Sequence, residues 1–170
     1  VGVYSVATKI SALFTLVITL SVISAYTPQL LNRYKVENVK EVESYSRKRS
    51  YMVIVIGIIF TSLCWLLLKT AFLRFVGEDY ERAFEPAMIL LFSQFLLLAL
   101  QMRGVFLLYK KKFKTQTLGL TLSLTLNICL NVLLVPRYSI IGAALATSIA
   151  YVFSFLFIEY HCLKSLKTDY

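Results

Sequence analysis

Lys9 is the first residue whose type and position can do chemistry. It stands roughly two turns into an apolar stretch, counting about 3.6 residues per turn. Ser5, Thr8 and Ser11 surround it, and Thr15 and Thr19 continue the polar row at four-residue spacing. An ionisable side chain at the centre of a membrane helix costs about 2.5–3.5 kcal/mol or more and by default marks a functional place. An ammonium there attracts a diphosphate or an anionic sugar, with Thr15 beside it as a cavity-lining candidate. The long lysine stem equally allows the charge to reach back to the membrane surface. Further along, Gln94 and Gln101 are seven residues apart and share a helical face, with Arg103 two residues on. The three can line a polar cavity; Arg103 also reads as the first residue of a basic loop. Ser123, Asn127 and Asn131 recur at four-residue spacing. A polar stripe in lipid must face a neighbouring helix or water, so interhelical hydrogen bonding at about 0.6 kcal/mol per contact stands beside direct substrate contact. Gly142, Ala146 and Ala150 repeat at the same spacing. Small residues let helix backbones approach closely, so these read as packing positions.

Several chemistries lack the residues they need. His161 is the single histidine, so neither a histidine metal cluster nor a His-based triad can be assembled. Cys64, Cys129 and Cys162 are odd in number and lack metal-ligand spacing. Cys64 and Cys129 fall in apolar runs and read as small buried hydrophobes. With no glycine-rich phosphate loop, ATP hydrolysis is not expected, and active transport must draw on an ion gradient or another protein. A carboxylate proton site is not expected inside a span either. The chain is expected to be no enzyme and to hold no cofactor or metal.

Only long membrane helices can position residues of this kind. Of 170 residues, 58% are hydrophobic and 16% charged, against about 45–50% and 25% in soluble domains. Charge-free runs cover 10–32, 50–68, 86–102, 115–136 and 138–158. Each is near the 17–25 residues needed to cross a bilayer core. The third extends past Arg103 to Tyr109. The runs do not alternate as barrel strands would, and a bare backbone in lipid must bond within itself, so they are helices. The expected architecture is all-α: an integral membrane bundle of about five transmembrane helices over 1–163 (spans near 8–31, 50–69, 86–108, 115–135 and 139–160), with a tail at 164–170. Pro136-Arg137-Tyr138-Ser139 is short enough to make the last two spans an antiparallel hairpin, Pro136 ending the first of them.

The net charge of +9 sits between the runs, which argues against nucleic acid. Segment 33–49 carries six basic residues, and 103–114 carries five with no acid. Segment 69–85 has three basic against four acidic residues, and the last turn has only Arg137. Basic loops mark the cytoplasmic side. The alternation runs the first helix out-to-in and predicts a cytoplasmic C-terminus. Val36, Val39 and Val42 suggest a short interfacial helix in the first loop, its basic residues near anionic headgroups. A topology-setting loop fits equally, and Lys110-Lys111-Lys112 reads the same way. The chain opens on Val1, without a basic segment and cleavage site, and so reads as starting inside a larger protein.

One stretch resembles a known family. Asn127 and Asn131, the apolar run to Val135, Pro136-Arg137-Tyr138 and Gly142-Ala143-Ala144-Leu145-Ala146-Thr147 are similar to the polysaccharide (O-antigen, Wzx-type) flippases. These form a branch of the multidrug/oligosaccharidyl-lipid/polysaccharide exporter superfamily. Gly2 to Lys9 resembles the start of that family's eighth helix, and Gly77-Glu78-Asp79-Tyr80 with Ala83 one of its periplasmic loops. Ser139 stands where glycine is commoner in the family. The resemblance implies two six-helix lobes around a cavity, this chain matching the last five helices of the second lobe. It implies a secondary transporter moving undecaprenyl-diphosphate-linked oligosaccharide repeat units across the bacterial inner membrane, for surface polysaccharide and lipopolysaccharide biosynthesis. H+ or Na+ would be the coupling ion, and membrane lipid and other glycan-assembly proteins the neighbours. A multidrug or lipid II exporter of the same superfamily, and a non-transporting scaffold of a glycan-assembly complex, are the alternatives.

Overall fold

The computed structural model describes residues 8–9, 11–13, 15–76 and 83–167. The opening Gly2–Ala7 pattern and the Gly77–Tyr80 loop lie outside them. Among the described residues there is no strand. A π-helical turn, Thr15–Thr19, leads into α1, Leu20–Val36. There follow α2, Val39–Val76, α3, Phe84–Tyr109, and α4, Phe113–Lys167. Among the described residues, four helices are long and apolar enough to cross a membrane: Ser11–Val36, Val39–Leu67, Phe84–Tyr109 and Phe113–Leu166.

Counting helices by length thus gives four, where the charge-free runs predict five. The difference lies in α4, whose 55 residues are continuous by hydrogen bonding except at Ser139, with φ 52° and ψ −125°. At about 1.5 Å per residue, a straight helix of that length would be about 80 Å long, far beyond a hydrocarbon core of about 30 Å. It folds back at Ser139 into two antiparallel limbs, 113–138 and 140–167. Ser123 Oγ donates to the Ala150 carbonyl at 2.8 Å, and a side-chain atom built on Gly142 would lie 2.5 Å from the Leu134 carbonyl oxygen. The reversal is so tight that one residue carries it, and Pro136 remains helical.

That residue adopts a backbone region open mainly to glycine, the one required at the second residue of a type II′ turn. Such strain costs of order 1–3 kcal/mol, and glycine's extra unfolded-state freedom gives back about 0.4–1. Ser139→Gly is therefore expected to stabilise the bundle by about 1 kcal/mol, read as a higher midpoint in detergent unfolding. A lower midpoint would mean that the turn is held open by something other than this backbone angle.

The segment 33–49 is not a loop. Only Glu37 and Asn38 break the chain between α1 and α2. The rest is helix because one face of it is buried: Val42, Ser46 and Ser50 recur at four-residue spacing and are fully covered. Lys40, Lys48 and Arg49 lie on exposed positions of the same turns.

The core is centred on α3. In its most apolar window 67% of residues are buried, against 20%, 17% and 33% for the other three spans. Leu98, Ala99, Met102, Phe106 and Leu107 pack against Tyr26 and Leu30 of α1, Val42 of α2, and Phe155, Ile158 and Cys162 of α4. Gly57 brings α2 onto α3: an added methyl would stand 2.5 Å from Phe95 Cβ. Outside, Leu66, Val132 and Leu133 are 71%, 70% and 64% exposed. Contiguous apolar surface on several long helices suits lipid and not water. The chain has the character of a multi-pass membrane protein.

Candidate functional site

Connectivity brings five helix ends together at one end of the bundle: the end of α1, the start of α2, the end of α3, and both ends of α4. Within this end lies Arg103, with 0% exposure the largest fully buried side chain among the described residues. Its Nη2 donates to Glu43 Oε1 of α2 at 2.9 Å, and its Nη1 reaches the Glu43 carbonyl at 3.5 Å. Its Nε lies 2.6 Å from Glu159 Oε2 of α4. This last contact is an ion pair without hydrogen-bond alignment, since neither atom has a hydrogen-bond partner in the described structure. Glu43 and Glu159 are 2% and 6% exposed. Arg47, one turn beyond Glu43 and 4.0 Å from it, brings the group of two arginines and two carboxylates to neutrality. The Cys162 thiol lies 3.9 Å from the Arg103 carbonyl. One side chain of α3 therefore holds α2 and the second limb of α4 together.

The sequence reading of Arg103 as the start of a basic loop is corrected: the residue is inside α3 and wholly covered. So is the expectation that no carboxylate sits in a span, because Glu159 lies within the apolar helix Phe113–Leu166, buried beside its partner. Both glutamates escape a reading based on charge-free runs, which treats every charge as a boundary. The available signal was the Val42, Ser46, Ser50 face, which continues helical burial through the basic segment and carries Glu43 with it.

A second polar feature runs between the limbs of α4. Asn131 Nδ2 donates to Asn127 Oδ1 at 3.0 Å and to the Asn127 carbonyl at 2.9 Å. Asn127 Nδ2 donates to Thr147 Oγ1 at 3.4 Å, and Thr147 donates to the Ala143 carbonyl at 3.1 Å. The bonds run in one direction, from Asn131 to the Ala143 carbonyl, so Asn127 and Thr147 each both give and receive. Nearby, the Ser93 and Ser148 hydroxyls pair across α3 and α4. Leu97, Leu100, Ser123, Asn127, Thr147 and Tyr151 line a pocket of 270 Å³ beside this row. At about 30 Å³ per water, that is room for several waters or a sugar ring, and not for a whole glycan.

The other predicted residues are placed as follows. Gln94 is buried and Gln101 half-buried on α3, two turns apart. Neither lines the 270 Å³ pocket. Lys9 is exposed on its helical turn, and Ser11 beside it donates to the Thr8 carbonyl at 3.0 Å. Thr15 begins the π-helical turn, and its side chain lies outside the described ones. Ala146 and Ala150 are 0% and 1% exposed, and Gly142 is buried against the backbone of the facing limb. Cys162 is buried and Cys64 half-buried, but Cys129 is exposed. Its reading as a buried hydrophobe is corrected, because an apolar run in a membrane protein faces lipid as well as core. His161 rests against Phe157, ring centres 4.6 Å apart. No group of three metal-ligating side chains occurs among the described residues.

Compared with known proteins, the chain has no match among family models, curated proteins or solved structures.

Proposed function

We propose that this chain is part of a secondary transporter that moves diphosphate-linked oligosaccharides from the cytoplasmic to the outer face of a bacterial inner membrane. The observation that carries the reading is the polar pocket at Asn127 and Thr147. It is a hydrogen-bonding wall inside apolar helices, formed by the same residues that carry the flippase resemblance. Sugar hydroxyls exchange hydrogen bonds with amides and hydroxyls of this kind without a proton changing hands. The pocket's small volume suits one wall of a larger cavity whose other wall is supplied by the first lobe. Among its lining residues there is no carboxylate, which favours a glycan over the organic cations that drug exporters carry. The basic end of the bundle faces the cytoplasm by the charge rule, and transport proceeds by alternating access.

The test uses the source cell with the gene deleted and complemented. Lipid-linked repeat units are assayed for protection from an impermeant glycan-modifying reagent. The expected result is accumulation on the cytoplasmic face in the deletion. The wild type reverses it, while Asn127→Ala/Asn131→Ala restores translocation about tenfold more slowly, as the loss of two contacts of about 0.6–1 kcal/mol predicts. Unchanged sidedness in the deletion overturns the reading in favour of a drug exporter or a scaffold.

A further inference from the structure

The basic end carries two pockets of similar size and different charge balance. One, of 530 Å³, is lined by Arg33, Lys40 and Lys48 but also by Glu37 and Glu41. Two acids offset most of its three positive charges, Arg33 pairing with Glu37 at 2.6 Å. The other, of 560 Å³, takes Lys111, Lys112 and Lys114 from the turn between α3 and α4, and His161 and Lys164 from the end of α4. No acid lines it. The closest acid along the second limb, Glu159, is turned inward onto Arg103.

The turn itself holds a clue. Lys111 N donates to the Leu108 carbonyl and Lys112 N to the Leu107 carbonyl, both at 2.9 Å, the paired bonds of a Schellman helix end. The residue between the helix end and Lys112 must then adopt a left-handed backbone, and glycine is the usual occupant. Here it is Lys111, at φ 56°. The backbone gains nothing from lysine at this position, whereas the pocket gains a cation. The pocket also lies at the level where two membrane-spanning helices end. Phe113, 57% exposed, lines it, and Tyr160, 61% exposed, lies against His161 of its lining, as aromatic side chains do at the headgroup layer.

We propose that this pocket binds the phosphate-bearing headgroup of an anionic phospholipid in the adjoining leaflet. Four lysines, three of them 50 or more residues from Lys164 along the chain, surround one phosphodiester, while the lipid tails run along the apolar surface beside Phe113. A soluble phosphate shares the headgroup's chemistry but gains nothing from that surface. The inference concerns a resident lipid and is independent of the cargo.

The full chain, purified into nanodiscs of zwitterionic lipid, is titrated with phosphatidylglycerol, and bound lipid is counted by native mass spectrometry. Each lysine facing a headgroup contributes roughly a fivefold gain in affinity. Lys112→Gln/Lys164→Gln is therefore expected to weaken binding by about 25-fold, and Lys112→Arg/Lys164→Arg to retain it. Lys40→Gln/Lys48→Gln, in the internally compensated pocket, should change it less than about threefold. Equal loss in both glutamine pairs overturns the proposal in favour of diffuse attraction, and no loss in either overturns it outright. Millimolar inorganic diphosphate that displaces the lipid completely overturns the headgroup as occupant and assigns the pocket to a soluble anion. The four lysines are exposed or half-buried, and retained helicity by circular dichroism checks folding.

Discussion

Arg103→Met will destabilise the bundle by about 3–5 kcal/mol, the cost of leaving a buried carboxylate without its partner. The magnitude follows from the geometry. Glu43 and Glu159 are almost fully covered, and Arg103 stands between them, 2.9 Å and 2.6 Å from their oxygens. Without it, Glu43 keeps only Arg47, 4.0 Å away and half in water. Glu159 makes no other ion pair among the described residues. The charges themselves are not what stabilises the fold. Taking an arginine and two carboxylates out of water costs several kcal/mol per ion, and their mutual attraction about repays it. The triple variant Arg103→Met/Glu43→Met/Glu159→Met is therefore expected within about 1–2 kcal/mol of wild type, and Arg103→Met/Glu159→Gln between the two extremes. Unfolding by graded sodium dodecyl sulfate in mixed micelles measures all three. An Arg103→Met protein as stable as wild type would mean that water reaches the two carboxylates. If the triple variant is as unstable as the single one, lost packing of the arginine stem accounts for most of the destabilisation. Arg103→Lys should lose most of the stability too, because a point charge cannot fork to two helices as a guanidinium does.

Gly142→Val will part the limbs of α4. An added Cβ stands 2.5 Å from the Leu134 carbonyl oxygen, 2.7 Å from its carbon and 3.1 Å from Val135 N. All three are backbone atoms of the facing limb and cannot rotate away, so relief requires the helices to separate. Overpacking of this kind costs about 1–3 kcal/mol and occasionally more, and the rigid neighbours put this site at about 3. The separation also lengthens the Asn127–Thr147 contact, already 3.4 Å, and the Ser123–Ala150 bond. If the proposed transport function holds, loss of stability and loss of glycan translocation should appear together, measured in the same micelles and in the leaflet assay. Full activity with unchanged unfolding would refute the close approach of the limbs.

The helices were legible in the sequence because lipid leaves the backbone few options: an uninterrupted apolar run must bond to itself. The reversal near Pro136 was legible too, from the shortness of the segment between two runs. Its extreme tightness was not, since no periodicity announces a single non-helical residue. What failed was the treatment of charge. Arg103 and Glu159 lie at the ends of apolar runs, where a linear reading assigns them to loops. Their burial depends on the side-by-side arrangement of α2, α3 and the second limb of α4, which spacing along one helix does not encode. Asn127 and Asn131 were visible as a stripe, but that Thr147 lies opposite follows only from the register of the hairpin.

At about 1.5 Å per residue, the 38 residues of α2 make a rod of about 57 Å, nearly twice the hydrocarbon thickness of about 30 Å. Its first turns, from Lys40 to Arg49, carry charge and stand beyond the apolar run. A tilt of about 10° in the buried part sweeps a tip about 15–20 Å away through about 3 Å. The rod is thus a lever, and Arg103 grips it through Glu43 near that tip, where holding force acts on the longest arm. A small rearrangement deep in the bilayer would arrive there magnified, at the ion pair that ties α2 through Arg103 to the second limb of α4.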